Sequence, residues 1–230
     1  MSSTFKSRSR SGSTRWRNDD GVSEKPIEKE IVEIRSAHSG QSDIPLTVEA
    51  YENHIWFYSD VDSDRSLALI RELKQTDQWL RSQHITFDLD KVDHPQTPIW
   101  LHINSDGGDL MSALALVDQI KMIQTPIYSV IEGLAASAAS LIAMSCTRRY
   151  ILPRSFVMIH QLSSMAWGTH EEFKDEMGLQ DMLMDILVNF YKEHSGLKKK
   201  KIRAMLKRNT WMNAQQAFER GFVDEILSAG

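Results

Sequence analysis

Hydrophobic and polar positions alternate along this chain in short blocks whose period changes from block to block. Leu46 to Ala50 and His54 to Tyr58 read as short strands, whereas Leu67, Ile70, Leu73, Trp79 and Leu80 recur at helical spacing within Arg65 to Leu80. Pro98-Ile99-Trp100-Leu101-His102-Ile103-Asn104 is an apolar run ending in polar and glycine residues, as a buried strand feeding a turn does. Asp109 then caps a helix whose core stripe is Leu110, Ala113, Leu114, Val117, Ile120 and Met122 or Ile123, stopped by Thr125-Pro126. Ile127 to Ile131 is the next strand, with Gly133 as its break and Ala135 to Met144 as a small-residue helix. Tyr150 to Leu152 and Phe156 to His160 supply further strands. Strand, helix, strand, helix, strand predicts an α/β fold with a mostly parallel sheet and right-handed crossovers.

The C-terminal third reads as helical. Thr169 and Glu172 make a capping box, and Phe173, Met177, Met184, Leu187 and Tyr191 continue one face until Ser195-Gly196 ends it. A helix of that length on so small a domain calls for partner surface, such as another subunit. Two shorter helices follow, Lys198 to Arg208 and Ala214 to Arg220, the second framed by Asn213, Gln216 and Gly221.

Composition narrows the class. With 230 residues, 41% hydrophobic and 25% charged, the chain can bury one real core and carry some tail. No apolar run is long enough to span a membrane, and the opening residues lack the apolar segment of a signal peptide. The single cysteine, Cys146, allows no internal disulfide and reads as a small core residue, so a reducing, cytoplasmic setting is expected. Lys6, Arg8, Arg10, Arg15 and Arg17 fall among serines in the first 18 residues, with no acid. A disordered basic tail over 1–40 is therefore expected ahead of a folded domain at 41–230. Solvated leader, cleaved propeptide, presequence and phosphate-binding arm all remain open for it. The chain has 27 basic and 31 acidic residues, so without the tail the body is clearly acidic, which argues against nucleic acid as a partner. Its eight histidines form no HExxH or Cys/His ligand pattern, and no phosphate-binding loop is present; neither a metal nor another cofactor is expected.

Three blocks carry chemistry. Ser105-Asp106-Gly107-Gly108 supplies flexible backbone whose N–H groups can face a developing negative charge. Gly133-Leu134-Ala135-Ala136-Ser137-Ala138 sets a serine in a small-residue turn, and Met158-Ile159-His160-Gln161 ends an apolar strand in a histidine. Oxyanion donor, nucleophile and base are the parts that acyl transfer needs. Ser140 is the rival serine, but three residues into a helix a hydroxyl more often turns back onto a carbonyl. A lone strand-end histidine is most often a satisfied core residue, and only the neighbouring blocks favour His160 as a base.

These blocks, with Trp211-Met212-Asn213-Ala214 and Gly221-Phe222-Val223-Asp224-Glu225-Ile226, closely resemble the proteolytic subunit of the Clp protease (ClpP) over roughly residues 50 to 228. The resemblance implies a ClpP/crotonase-like fold with a projecting handle helix at about 169–194. It also implies Ser137 as nucleophile, His160 as base and the Gly108 and Ala138 N–H groups as oxyanion hole. The implied activity is serine endopeptidase cleavage of unfolded polypeptides inside a homo-oligomeric chamber of heptameric rings, fed by a Clp-type ATPase unfoldase. Trp100 and His102 fall on the strand where the family presents aromatic residues to that ATPase.

Four positions depart from the family pattern. Asn209 stands where the catalytic aspartate is expected; an asparagine carbonyl can hold a histidine ring but brings no charge. In chymotrypsin-type proteases the same exchange lowers kcat about 10⁴-fold, whereas papain-like enzymes work with an asparagine. Weak activity is one expectation, and a substitute carboxylate from Asp224 or Glu225 is the other. Lys207 beside Arg208 puts two cations where the family pairs opposite charges between rings, and Asp106 and Leu162 each replace a usual proline. These departures keep a second reading open, a weakly active or non-catalytic ring subunit that modulates an active paralogue. A crotonase-type enzyme acting on an acyl thioester is the remaining alternative, and it would not use this serine and histidine.

Overall fold

Alternation along the third strand organises the molecule. Ile99, Leu101 and Ile103 are completely buried, while Trp100 and His102 between them face the other side of the sheet. The computed structural model describes residues 48–87, 96–165 and 167–228. The tail expected over 1–40, the domain start at 41, and Leu46 and Thr47 of the first expected strand lie outside them.

The elements run β1 (Val48–Tyr51), β2 (His54–Phe57), α1 (Ser63–Phe87), β3 (Ile99–Ser105), α2 (Leu110–Met122), β4 (Ile127–Ala136) and α3 (Ala138–Ser145). They continue as β5 (Arg148–Ile151), β6 (Phe156–Ile159), α4 (His170–Ser195), α5 (Lys199–Leu206), β7 (Thr210–Asn213), α6 (Ala214–Glu219) and β8 (Glu225–Ile226). The sheet order is β1-β2-β3-β4-β5-β8, with β6 on β4 and β7 on β6. Only β1–β2 and β6–β7 pair antiparallel among these strands, so the expected mostly parallel α/β sheet is what forms.

Gly133 does not break its strand. β4 runs through it to Ala136, pairing with β5 through Tyr128–Ile131 and with β6 through Leu134–Ala136. Gly133, at φ +96°, lies between the two pairings, and a Cβ there would meet Asn104 Oδ1 at 2.9 Å. The glycine lets one strand change partner, so Ala135 and Ala136 are buried strand residues and the helix starts only at Ala138.

The expected caps form. Asp109 accepts the Ser112 N–H, Thr169 and Glu172 close a capping box, and Asn213 and Gln216 close another. The apolar face of α4 divides. Leu187 and Tyr191 enter the core and Met184 packs against it, but Phe173, Met177 and Met182 in the N-terminal half of this 26-residue helix, and Ile186 just beyond it, are exposed, so that half is largely without cover.

On the outer sheet face His54 and His102 join at 2.9 Å, and His102 Nδ1 meets Glu132 Oε1 at 2.7 Å. Tyr58 donates to the same carboxylate. Trp56 and Trp100 stack on His54. Burial, then His102, holds the His54 value below its ordinary 6.5, against the opposing pull of Glu52 and Glu132. The unfolded chain therefore takes up a proton at this site before the folded one does, so stability is complete above the ordinary value and declines as pH falls through it. We expect the thermal midpoint to drop between about pH 7.5 and about pH 5.5, and to drop less in His54→Phe. His194, lowered by burial, accounts for part of the slope that remains. Equal slopes in both proteins would contradict this assignment.

Candidate active site

Ser137 occupies the joint between β4 and α3 at φ 52°, ψ −122°, one of two described non-glycine residues with positive φ. Such a conformation costs about 1–3 kcal/mol and persists only where surrounding bonds enforce it. Two sets of bonds do. Its N–H donates to Met158 O on β6 at 2.8 Å, and its carbonyl accepts the Ser140 N–H at 3.0 Å and the Ser140 hydroxyl at 2.6 Å. At about 1 kcal/mol net each, these bonds are large enough to offset the strain. The sharp turn leaves the Ser137 hydroxyl free of any capping role.

That hydroxyl lies 2.7 Å from His160 Nε2. His160 follows the last residue of β6, and β6 pairs with the segment of β4 that ends beside Ser137, so sheet register brings the two side chains together. Both are half-buried. The rival Ser140 is completely buried with its hydroxyl turned back onto the Ser137 carbonyl.

Gly107 packs against this turn, and Gly108 against the backbone of Val61. Val61 donates to Gly107 O and accepts from the Asp109 N–H, so it bonds the residues on either side of Gly108 and leaves the Gly108 N–H out of the ladder. Ala138 opens α3, where no carbonyl of the same helix can accept its N–H. Gly107 is held at φ +99°, and a Cβ there would lie 2.6 Å from Ala136 O, 2.8 Å from Ser137 Cβ and 3.0 Å from Ala138 N. Two N–H donors without an acceptor among the described residues thus sit on segments that touch at the serine, an arrangement able to receive the oxygen of an attacked carbonyl.

Asn209 is not joined to the pair. β6 and β7 run antiparallel with Ile159 opposite Thr210, and the same register carried one pair further sets Asn209 opposite His160. Yet Asn209 is exposed and, among the described residues, makes no hydrogen bond. The substitute carboxylates are placed elsewhere. Asp224 is committed to the Arg149 guanidinium and backbone N–H, with a net lowering of its carboxyl despite burial, and Glu225 lies on β8 beside β5. Among the described residues neither is hydrogen-bonded to His160. Lys207 and Arg208 are both exposed, and Lys207 lines a shallow groove with Lys199, Lys200 and Arg203. Leu162 donates its N–H to Met184 Sδ at 3.5 Å, a bond that a proline could not make. Among the described residues no cluster of three or more His, Cys, Asp or Glu could hold a metal, and no helix is long and apolar enough to cross a membrane.

The β7 strand beside the site has no separate signal in the sequence, since Thr210–Asn213 is too short to show a period. Tyr191, which reaches Ser140 from α4, reads in sequence only as one more core position.

Comparison with known proteins points to one family. A family model described as Clp protease covers residues 49–230. The ATP-dependent Clp protease proteolytic subunit 1 of Protochlamydia amoebophila is 35% identical over 180 residues, which is 75% of this chain and 80% of that one. The ATP-dependent Clp protease proteolytic subunit of Streptococcus pneumoniae is 32% identical over 134 residues, 56% of this chain and 68% of that one.

The close approach at Gly107 generates a direct test. In Gly107→Ala the new methyl must displace Ala136 O or Ser137, so we expect a lower thermal midpoint and at least about tenfold slower labelling by a fluorophosphonate. Labelling at the wild-type rate would show that this glycine does not shape the turn.

Proposed function

The chain belongs to the Clp protease family, and from that footing we propose that Ser137 is its nucleophile and His160 its general base. In the same proposal the Gly108 and Ala138 N–H groups are the oxyanion donors, and Asn209, opposite His160 in the extended β6–β7 register but not bonded to it among the described residues, is the residue that would orient the base on turning toward the ring. The family is one of serine endopeptidases that act on proteins as oligomeric rings working with Clp ATPases. The observation that carries the assignment is the 2.7 Å contact between His160 Nε2 and Ser137 Oγ, made on a backbone that the surrounding hydrogen bonds hold at positive φ.

The chemistry follows from this geometry. His160 Nε2 takes the hydroxyl proton as Ser137 Oγ bonds to the peptide carbonyl carbon, and the carbonyl oxygen turns to the two N–H donors as it gains charge. His160 then passes the proton to the leaving amine as the C–N bond breaks. Water, deprotonated by the same ring, cleaves the ester and restores Ser137. Hydrolysis needs no metal or other cofactor at this site.

Heptameric rings are the proposed assembly, with the uncovered half of α4 interleaving against a second ring through Phe173, Met177, Met182 and Ile186. The outer aromatic face around Trp100 and His102 is the proposed seat of a Clp-type ATPase unfoldase delivering polypeptides. A cytoplasmic setting is part of the same reading.

A second reading rests on Asn209. Being uncharged and, among the described residues, without a hydrogen bond, it gives His160 neither a fixed tautomer nor a countercharge, which favours a weakly active subunit that modulates an active paralogue in a mixed ring. Hydrolysis of a short fluorogenic peptide separates the two readings. Activity that disappears in Ser137→Ala supports the working peptidase, and Asn209→Asp should raise kcat at least about tenfold. An assembled ring that stays silent until Asn209→Asp restores it would favour the modulatory role. An unchanged rate in Asn209→Asp would remove Asn209 as the limit on the chemistry.

A further inference from the structure

Behind the turn at Ser137 lies a buried polar contact that the hydrolytic steps do not use. The Ser140 side chain is completely buried, and its hydroxyl donates to the Ser137 carbonyl at 2.6 Å. The Tyr191 hydroxyl, from the buried end of α4, lies 2.8 Å from the same Ser140 oxygen. A serine hydroxyl has one proton; with that proton on the Ser137 carbonyl, Tyr191 must be the donor to Ser140. Burial keeps the Tyr191 phenol protonated well above its ordinary range, so this donor is permanent at any working pH.

The Ser137 carbonyl and the Ala138 N–H belong to one planar peptide unit and point in opposite directions. Whatever pins that carbonyl therefore also aims that N–H. We propose that Tyr191 is a positioning residue for acyl transfer, holding the Ser140 hydroxyl so that the Ser137–Ala138 peptide keeps the Ala138 N–H turned toward the oxyanion. The proposal rests on the assignment of Ala138 as an oxyanion donor and adds the device that fixes its direction. Its reach matters, because Tyr191 is 51 residues from Ser140 in sequence and belongs to the helix whose other half is uncovered. Phe222 and Phe190 pack against the Tyr191 ring, so its removal alone leaves the ring site filled if phenylalanine replaces it.

The test uses Tyr191→Phe, Ser140→Ala and the double variant in the full assembled chain, with mass in solution checked for each. Tyr191→Phe deletes one oxygen and leaves Ser140 free to rotate. We expect kcat for a fluorogenic peptide to fall about three- to tenfold with KM unchanged, and the double variant to lose no more than Ser140→Ala alone. Amide exchange provides a readout independent of turnover. A peptide spanning 135–142 should exchange faster in Tyr191→Phe while one spanning 99–105 keeps its protection. Faster exchange at 135–142 with no turnover in the wild type would leave the positioning role standing and count against the hydrolase assignment. Unchanged exchange there, or additive losses of kcat in the double variant, would overturn the proposal.

Discussion

Ser137 holds a backbone conformation that its own side chain disfavours, and the rest of the site depends on that single constraint. The positive φ turns the chain from β4 into α3 within one residue, exposing the hydroxyl on one side and freeing the Ala138 N–H on the other. Relaxation to an ordinary dihedral would move both groups. The strain is small on the scale of folding but comparable to the hydrogen bonds that resist it, so loss of any one of them would be felt at the site.

Those bonds come from three directions. β6 supplies Met158 O, α3 supplies Ser140, and α4 supplies Tyr191 behind Ser140. Gly133 makes the first possible by letting β4 leave β5 and take β6 as its partner just ahead of Ser137. The same β6 ends just before His160, so one change of strand partner both fixes the serine backbone and brings the imidazole to its hydroxyl. The Ser137–His160 contact is a consequence of sheet topology more than of any local motif.

Local signals were legible in the sequence, and long-range ones were not. Asp109, Thr169 with Glu172, and Asn213 with Gln216 could be read because a cap needs only residues three positions apart. The serine, histidine and glycine blocks could be read as separate parts, but nothing local states the 2.7 Å that joins two of them. Ala135 and Ala136 read as helix because alanine favours helix; pairing with β6 overrode that preference. Asp224 looked available to His160 until its partner Arg149, 75 residues away in sequence, was seen to hold it. The uncovered half of α4 was legible only as an apolar stripe, since sequence cannot distinguish a face buried in the same subunit from one awaiting another.

If Ser137 is activated by His160, it is the residue that forms the acyl bond. Locating the adduct by tandem mass spectrometry after treating the assembled chain with a fluorophosphonate tests it most directly. We expect a single phosphonyl group on Ser137, formed far more slowly in His160→Ala. An adduct on Ser140 or another serine, or an assembled ring that takes up no label, would contradict it.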